Sequence, residues 1–156
     1  MSILDNAVKM ELEGEKLYLD MAEANKDNSL HIIFLALAKD EANHAKILRD
    51  KIAGVSADLS ADSTTMASVF GDASAFQFAG KKPAQVDIYR SAQEKEKESI
   101  ALYKKMTAED ASAEALTAFL IGQEEEHFLI LDEIVKAVDR PNEWVESAEF
   151  GLRDEY

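Results

Sequence analysis

The chain has 156 residues, with 31 Asp and Glu against 17 Lys and Arg, so its formal net charge is −14. This charge repels phosphate backbones and anionic lipids, so we expect neither nucleic acid nor a membrane surface as a partner. The absence of cysteine excludes disulfides, thiolate catalysis and cysteine-held metal centres.

Four segments have the composition and periodicity of long amphipathic helices. They are rich in Glu, Lys, Leu, Ala and Met, which favour helices, and proline is absent from their interiors. Gly54 follows the second segment and Pro83 opens the third, as is typical of a helix end and a helix start. The predicted helices cover residues 2–26, 29–53, 83–108 and 111–138.

The lengths of the connections determine the predicted topology. Only a few residues join the first helix to the second and the third to the fourth, so each pair should form an antiparallel hairpin. The irregular segment 55–83 could span roughly 90 Å if extended, enough to cross the whole length of a bundle. We therefore predict an all-α, ferritin-like four-helix bundle over residues 1–140, with a crossover at 55–83 between the second and third helices.

The end of the chain, residues 141–156, is short and amphipathic. We expect this tail to dock on the bundle through Trp144, Val145 and Phe150, as a packing lid or at a contact between subunits. The longest apolar run, residues 32–38, is too short to span a bilayer, and no basic region precedes a long apolar stretch as in a signal peptide. A cytoplasmic location is therefore predicted.

Polar residues stand on the apolar stripe of each predicted helix, where hydrophobic residues would be expected. In the first helix Glu11 lies seven residues from both Leu4 and Tyr18, and in the third Glu96 lies seven residues from both Tyr89 and Tyr103. The second and fourth helices each carry a Glu-x-x-His pair on this stripe. The full set comprises Glu11, Glu41, His44, Glu96, Glu124 and His127.

Four carboxylates and two imidazoles would then point into the core. Buried carboxylates without compensation are strongly unfavourable, whereas two divalent cations would neutralise all four. Each Glu-x-x-His places its side chains one helical turn apart, so the carboxylate can bridge two metals while the imidazole binds one. The sequence therefore predicts a dinuclear metal site. Its oxygen and imidazole ligands suit iron, and also manganese or zinc.

Four segments carry a resemblance to a known family: residues 10–18 (MELEGEKLY), 41–44 (EANH), 96–103 (EKESIALY) and 124–127 (EEEH). Over about residues 1–140 the chain resembles the rubrerythrin-type branch of the ferritin-like superfamily. The resemblance implies two bound irons, reduction of hydrogen peroxide or oxidation of Fe(II) with O₂ or peroxide, and an external electron-transfer protein as donor. It also implies a homodimer as a candidate assembly.

The resemblance also implies roles for single residues. Glu41 and Glu124 would bridge the metals and take part in catalysis. Tyr18 and Tyr103 would act with them by donating hydrogen bonds to ligand carboxylates. The terminal ligands would be Glu11 and Glu96, and each metal would be completed by one imidazole, that of His44 or that of His127.

Two departures from the family pattern bear on activity. Without cysteine the chain has no rubredoxin-like iron domain to supply electrons, and Ser99 stands where rubrerythrins have a further glutamate that takes part in turnover. Three classes of function therefore remain open: a peroxide-reducing or Fe(II)-oxidising enzyme, an iron-handling or storage protein, and a regulatory or structural bundle that retains the site.

The other acidic residues and the third histidine are expected to have ordinary roles. Glu15, one turn after Glu11, is the best reserve ligand, and His31 is expected to have a surface role near the start of its helix. The acidic residues off the stripes are predicted to be solvated: Glu13, Glu94, Glu98, Glu125 and Glu126.

Overall fold

The computed structural model describes residues 2–71 and 86–138, and its elements in these two ranges are helical. A single 3₁₀ turn, Ala111–Ala113, precedes the last helix. The helices are α1 (Ile3–Ala24), α2 (Leu30–Ile52), α3 (Met66–Phe70), α4 (Val86–Glu109) and α5 (Glu114–Val138). Within these ranges none of the helices combines the length and the hydropathy that crossing a bilayer requires.

Local capping determines where the first hairpin begins and turns. Ser2 and Asp5 form a capping box, in which the Ser2 hydroxyl accepts from the Asp5 amide at 3.1 Å. At the other end of α1, the Asn25 side chain donates to the carbonyl of Met21 at 2.8 Å. His31, expected at the surface, is half-buried, and its Nδ1 lies 2.7 Å from the carbonyl oxygen of Ala22, so it supports this turn.

The helices pack as the predicted pair of hairpins. α1 lies against α2 and α4 against α5, while α1 also contacts α4 across the bundle. The all-α bundle predicted from the sequence is therefore confirmed.

Two apolar layers fill the two ends of this bundle. The first layer lies at the end that holds the α1–α2 turn and includes Tyr18, Phe34, Leu37, Leu131 and Ile134. The second lies at the end that holds the start of α1 and includes Ala7, Leu48, Met106, Leu116 and Leu120. Ile52, the last residue of α2, is 48% exposed.

The crossover runs from one apolar layer toward the other. Leu59, shortly after α2, packs on the second layer, whereas Phe70 in α3 is buried in the first. This path covers most of the length of the bundle. Residues 72–85, with the predicted helix start at Pro83, and the predicted docking tail within 139–156 lie outside the described residues.

Candidate metal centre

The structure brings together the six polar residues that the sequence placed on the apolar stripes. They lie between the two apolar layers, all buried, in two overlapping groups that share Glu41 and Glu124. In each group one ligand atom per residue lies within 4.8 Å of all the others. The first group adds Glu11 and His44, and the second adds Glu96 and His127.

Both imidazoles present Nδ1 to the carboxylates. His44 Nδ1 lies 3.1 Å from a Glu41 oxygen and 3.4 Å from Glu124 Oε1. His127 Nδ1 lies 3.4 Å from the same Glu124 oxygen and 3.2 Å from Glu96. The two rings stack, with centroids 5.9 Å apart and planes inclined by 20°. Two imidazoles therefore face one carboxylate cluster in nearly equivalent positions.

The other nitrogen of each imidazole is held by a buried residue from the opposite hairpin. His127 Nε2 lies 2.8 Å from Asp40 Oδ2, and His44 Nε2 is hydrogen-bonded to Gln123 Oε1. Asp40 and Gln123 were missed by sequence reasoning. Each directly precedes the glutamate of a Glu-x-x-His pair, and this repeated position is the only signal that could have revealed them.

Two tyrosines hold the remaining carboxylates across the α1–α4 contact. Tyr18 in α1 donates to Glu96 in α4, and Tyr103 in α4 donates to Glu11 in α1. Burial, together with these neighbouring carboxylates, raises the pKa of both phenols well above the usual value. Each tyrosine therefore keeps the proton with which it orients its carboxylate.

The polar atoms of the cluster show that it suits metal ions. Five buried side-chain atoms in the described part of the chain make no hydrogen bond of acceptable geometry, although some lie close to one another, and all belong to the cluster: Glu11 Oε1, Glu41 Oε2, His44 Nδ1, Glu124 Oε1 and Glu124 Oε2. Each such atom destabilises the fold by about 1–3 kcal/mol, and more when it is charged. They are carboxylate oxygens and an imidazole nitrogen, the donors that iron, manganese and zinc accept.

Without cations the cluster retains protons. Burial, followed by the charges of Glu11 and Glu96, raises the pKa of Glu124 to about 8. Burial alone would lower the pKa of His127, but hydrogen bonds to Asp40 and Glu96 raise it to about 10. Metal binding at neutral pH must therefore displace protons from the cluster.

The other candidate residues lie away from this cluster. Glu15, the reserve ligand, is half-buried and belongs to neither group, whereas Ser99 is buried on the same helix as Glu96. Four of the five glutamates predicted to be solvated are exposed: Glu13, Glu94, Glu98 and Glu125. The prediction was wrong for Glu126, which is half-buried because it accepts a hydrogen bond from the Met66 amide at 2.8 Å.

Comparison with known proteins identifies one family. The family model described as Rubrerythrin matches residues 2–135, which include all six residues of the cluster. Neither the curated proteins nor the solved structures provide a significant match to this chain.

Proposed function

The chain belongs to the rubrerythrin family, a ferritin-like di-iron family, and from this membership we propose that its buried cluster holds two iron ions. We further propose that the protein is an oxidoreductase that reduces hydrogen peroxide, or oxidises Fe(II) with O₂ or peroxide. Electrons would come from an external electron-transfer protein, since the chain has no cysteine to hold a second iron centre.

This proposal is supported by the five buried cluster atoms that make no hydrogen bond, because these atoms converge on one buried space. Glu41 and Glu124 belong to both ligand groups, so each of them would serve both metal positions. Glu11 and His44 would complete one metal position, and the other would be completed by Glu96 and His127. The four carboxylates balance the charge of two divalent cations, which explains why an acidic cluster is stable inside the bundle.

Two bound Fe(II) ions would supply the two electrons that, with two protons, convert H₂O₂ into two molecules of water. The chain itself contributes positioning. Tyr18 and Tyr103 orient the terminal carboxylates, and the imidazole orientations are held from behind by Asp40 and Gln123. The apolar layers on both sides exclude bulk water, so charges inside the cluster interact strongly.

Anaerobic titration of the metal-free protein with Fe(II), followed by H₂O₂, tests the proposal. We expect binding to stop at about two Fe(II) per chain, the ligand complement of a di-iron carboxylate site. Peroxide should then produce a ferric absorption band that an added reductant removes. The Glu124→Gln variant should bind less iron, whereas Glu125→Gln, which changes the exposed neighbour, should match the wild type.

The other outcomes of this titration contradict specific parts of the proposal. Uptake of many irons per chain would indicate storage. A bound pair of irons that peroxide leaves unchanged would indicate a structural or regulatory bundle. Absence of binding would contradict the metal site itself.

A further inference from the structure

The two imidazoles are held by chemically different partners. Asp40 on α2 holds His127 on α5, and Gln123 on α5 holds His44 on α2, so the two contacts cross the bundle reciprocally. One partner is a carboxylate and the other is a neutral amide. Asp40 is also fixed by the Thr64 amide, which donates to the same oxygen at 2.9 Å.

The rest of the cluster has the same residue types on the two sides. Each terminal glutamate accepts a hydrogen bond from one tyrosine, and both bridging candidates are shared. In residue type, the two metal positions therefore differ in the side chains behind the imidazoles, Asp40 and Gln123. A hydrogen bond to a carboxylate is about twice as strong as one between neutral groups. It also makes the coordinating nitrogen a better donor to a metal.

We propose that Asp40 makes the two metal positions inequivalent, so that the position served by His127 takes up a divalent cation first and more tightly than the position served by His44. This inference rests on the proposed metal site. Asp40 and Gln123 act here as positioning residues through the imidazoles that they hold. The metal position that fills first is therefore the one whose imidazole is held by the carboxylate of Asp40.

Calorimetric titration of the metal-free protein with Co(II) measures the two affinities. We expect two resolved steps. Asp40→Asn retains an amide oxygen as acceptor but removes the charge, and it should weaken the tighter step about 10- to 100-fold. Gln123→Glu should strengthen the weaker step by about 10-fold. Asp50→Asn, on the same helix but paired with Lys46 at its surface, should leave both steps unchanged.

Crystals prepared with one equivalent of Co(II) identify the position that fills first. Anomalous scattering should show higher occupancy beside His127 in the wild type and beside His44 in the Asp40→Asn, Gln123→Glu double variant. A purely structural role of Asp40 would lower the thermal stability of the metal-free protein without changing this order. The wild-type occupancies decide the question even where Asp40→Asn does not fold.

The failures of the two proposals are distinguishable. Equal occupancy of two filled positions in the wild type would overturn the inequivalence and leave the dinuclear site intact. Absence of Co(II) binding would overturn both. Unequal occupancy that favours the His44 position would also overturn the inference, because the carboxylate would then not be what determines the order.

Discussion

Among single residues, Gly14 makes room for the carboxylate of Glu41. It lies one turn after Glu11 on α1 and is buried. A Cβ atom at this position would lie 2.7 Å from Glu41 Oε1, closer than van der Waals contact allows. A glycine inside a helix lowers helix stability by about 1 kcal/mol relative to alanine. The space that Gly14 leaves for the Glu41 carboxylate accounts for a glycine at this position.

We expect Gly14→Ala to weaken metal binding at least about 10-fold while changing the stability of the metal-free protein by less than about 1 kcal/mol. The Glu41 carboxylate is the end of a flexible side chain and can swing away, which displaces a ligand but leaves the core intact. Co(II) titration and urea denaturation measure the two effects.

Gly122→Ala on α5 is the matched control. A Cβ atom there would meet nothing within 4 Å. It should stabilise the protein by up to about 1 kcal/mol and leave metal affinity unchanged. Wild-type affinity in Gly14→Ala would show that Glu41 does not need its present position to bind metal.

The cluster residues differ in how far the sequence could reveal them. Glu41 and His44 could be predicted because residues three apart on a helix share a face, and a local repeat is visible in the sequence. Asp40 could not, because its partners, His127 and Thr64, come from distant segments. Contacts between helices depend on the register of packing, which no single helix encodes.

At the scale of elements, α3 shows how tertiary contacts support a short helix. It has five residues, begins with a Thr65–Ser68 capping box and buries Phe70. Its first amide, that of Met66, donates to Glu126 on α5. Such a helix is unstable alone, so its sequence has no long periodic pattern to predict it. The long helices α1 and α2, by contrast, end within about two residues of their predicted ends, because the periodic pattern of each helix is local, and α1 also begins at a capping box.

We expect Glu126→Ala to loosen the attachment of α3. The substitution leaves the Met66 amide without its acceptor, which should lower stability by about 0.5–1.5 kcal/mol and speed hydrogen exchange at that amide. Glu125→Ala, one residue away and exposed, should change neither quantity. Unchanged exchange at Met66 in Glu126→Ala would mean that the hydrogen bond to Glu126 does not hold this helix in place.

Across the whole molecule, an acidic layer lies between two apolar layers, so the fold depends on what neutralises that layer. In the metal-free protein, protons have this role. The pKa of Glu124 is raised by burial from 4.5 to about 8, and that of His127 rises from 6.5 to about 10 through its bonds to Asp40 and Glu96. Between about pH 4.5 and pH 10 the folded state therefore binds more protons at these two residues than the unfolded chain does.

The stability of the metal-free protein should consequently fall as pH rises. The contribution of Glu124 is fully present below pH 4.5 and is lost through about pH 8, and that of His127 is present below 6.5 and lost through about pH 10. The melting temperature should therefore decrease steadily between pH 5 and pH 9. Glu124→Gln, neutral throughout, should flatten this slope, whereas Glu125→Gln should not.

Saturating Mn(II) should reverse this dependence between pH 6 and pH 8. The cation binds only the deprotonated ligands, so its affinity and the stability that it adds increase as the cluster loses protons. Calorimetric melting with and without Mn(II) gives both curves, and dye-monitored proton release on binding provides an independent measure. A metal-free melting temperature that rises from pH 5 to pH 9 would show that the folded state binds fewer protons than the unfolded chain there, and that protons do not neutralise the cluster when cations are absent.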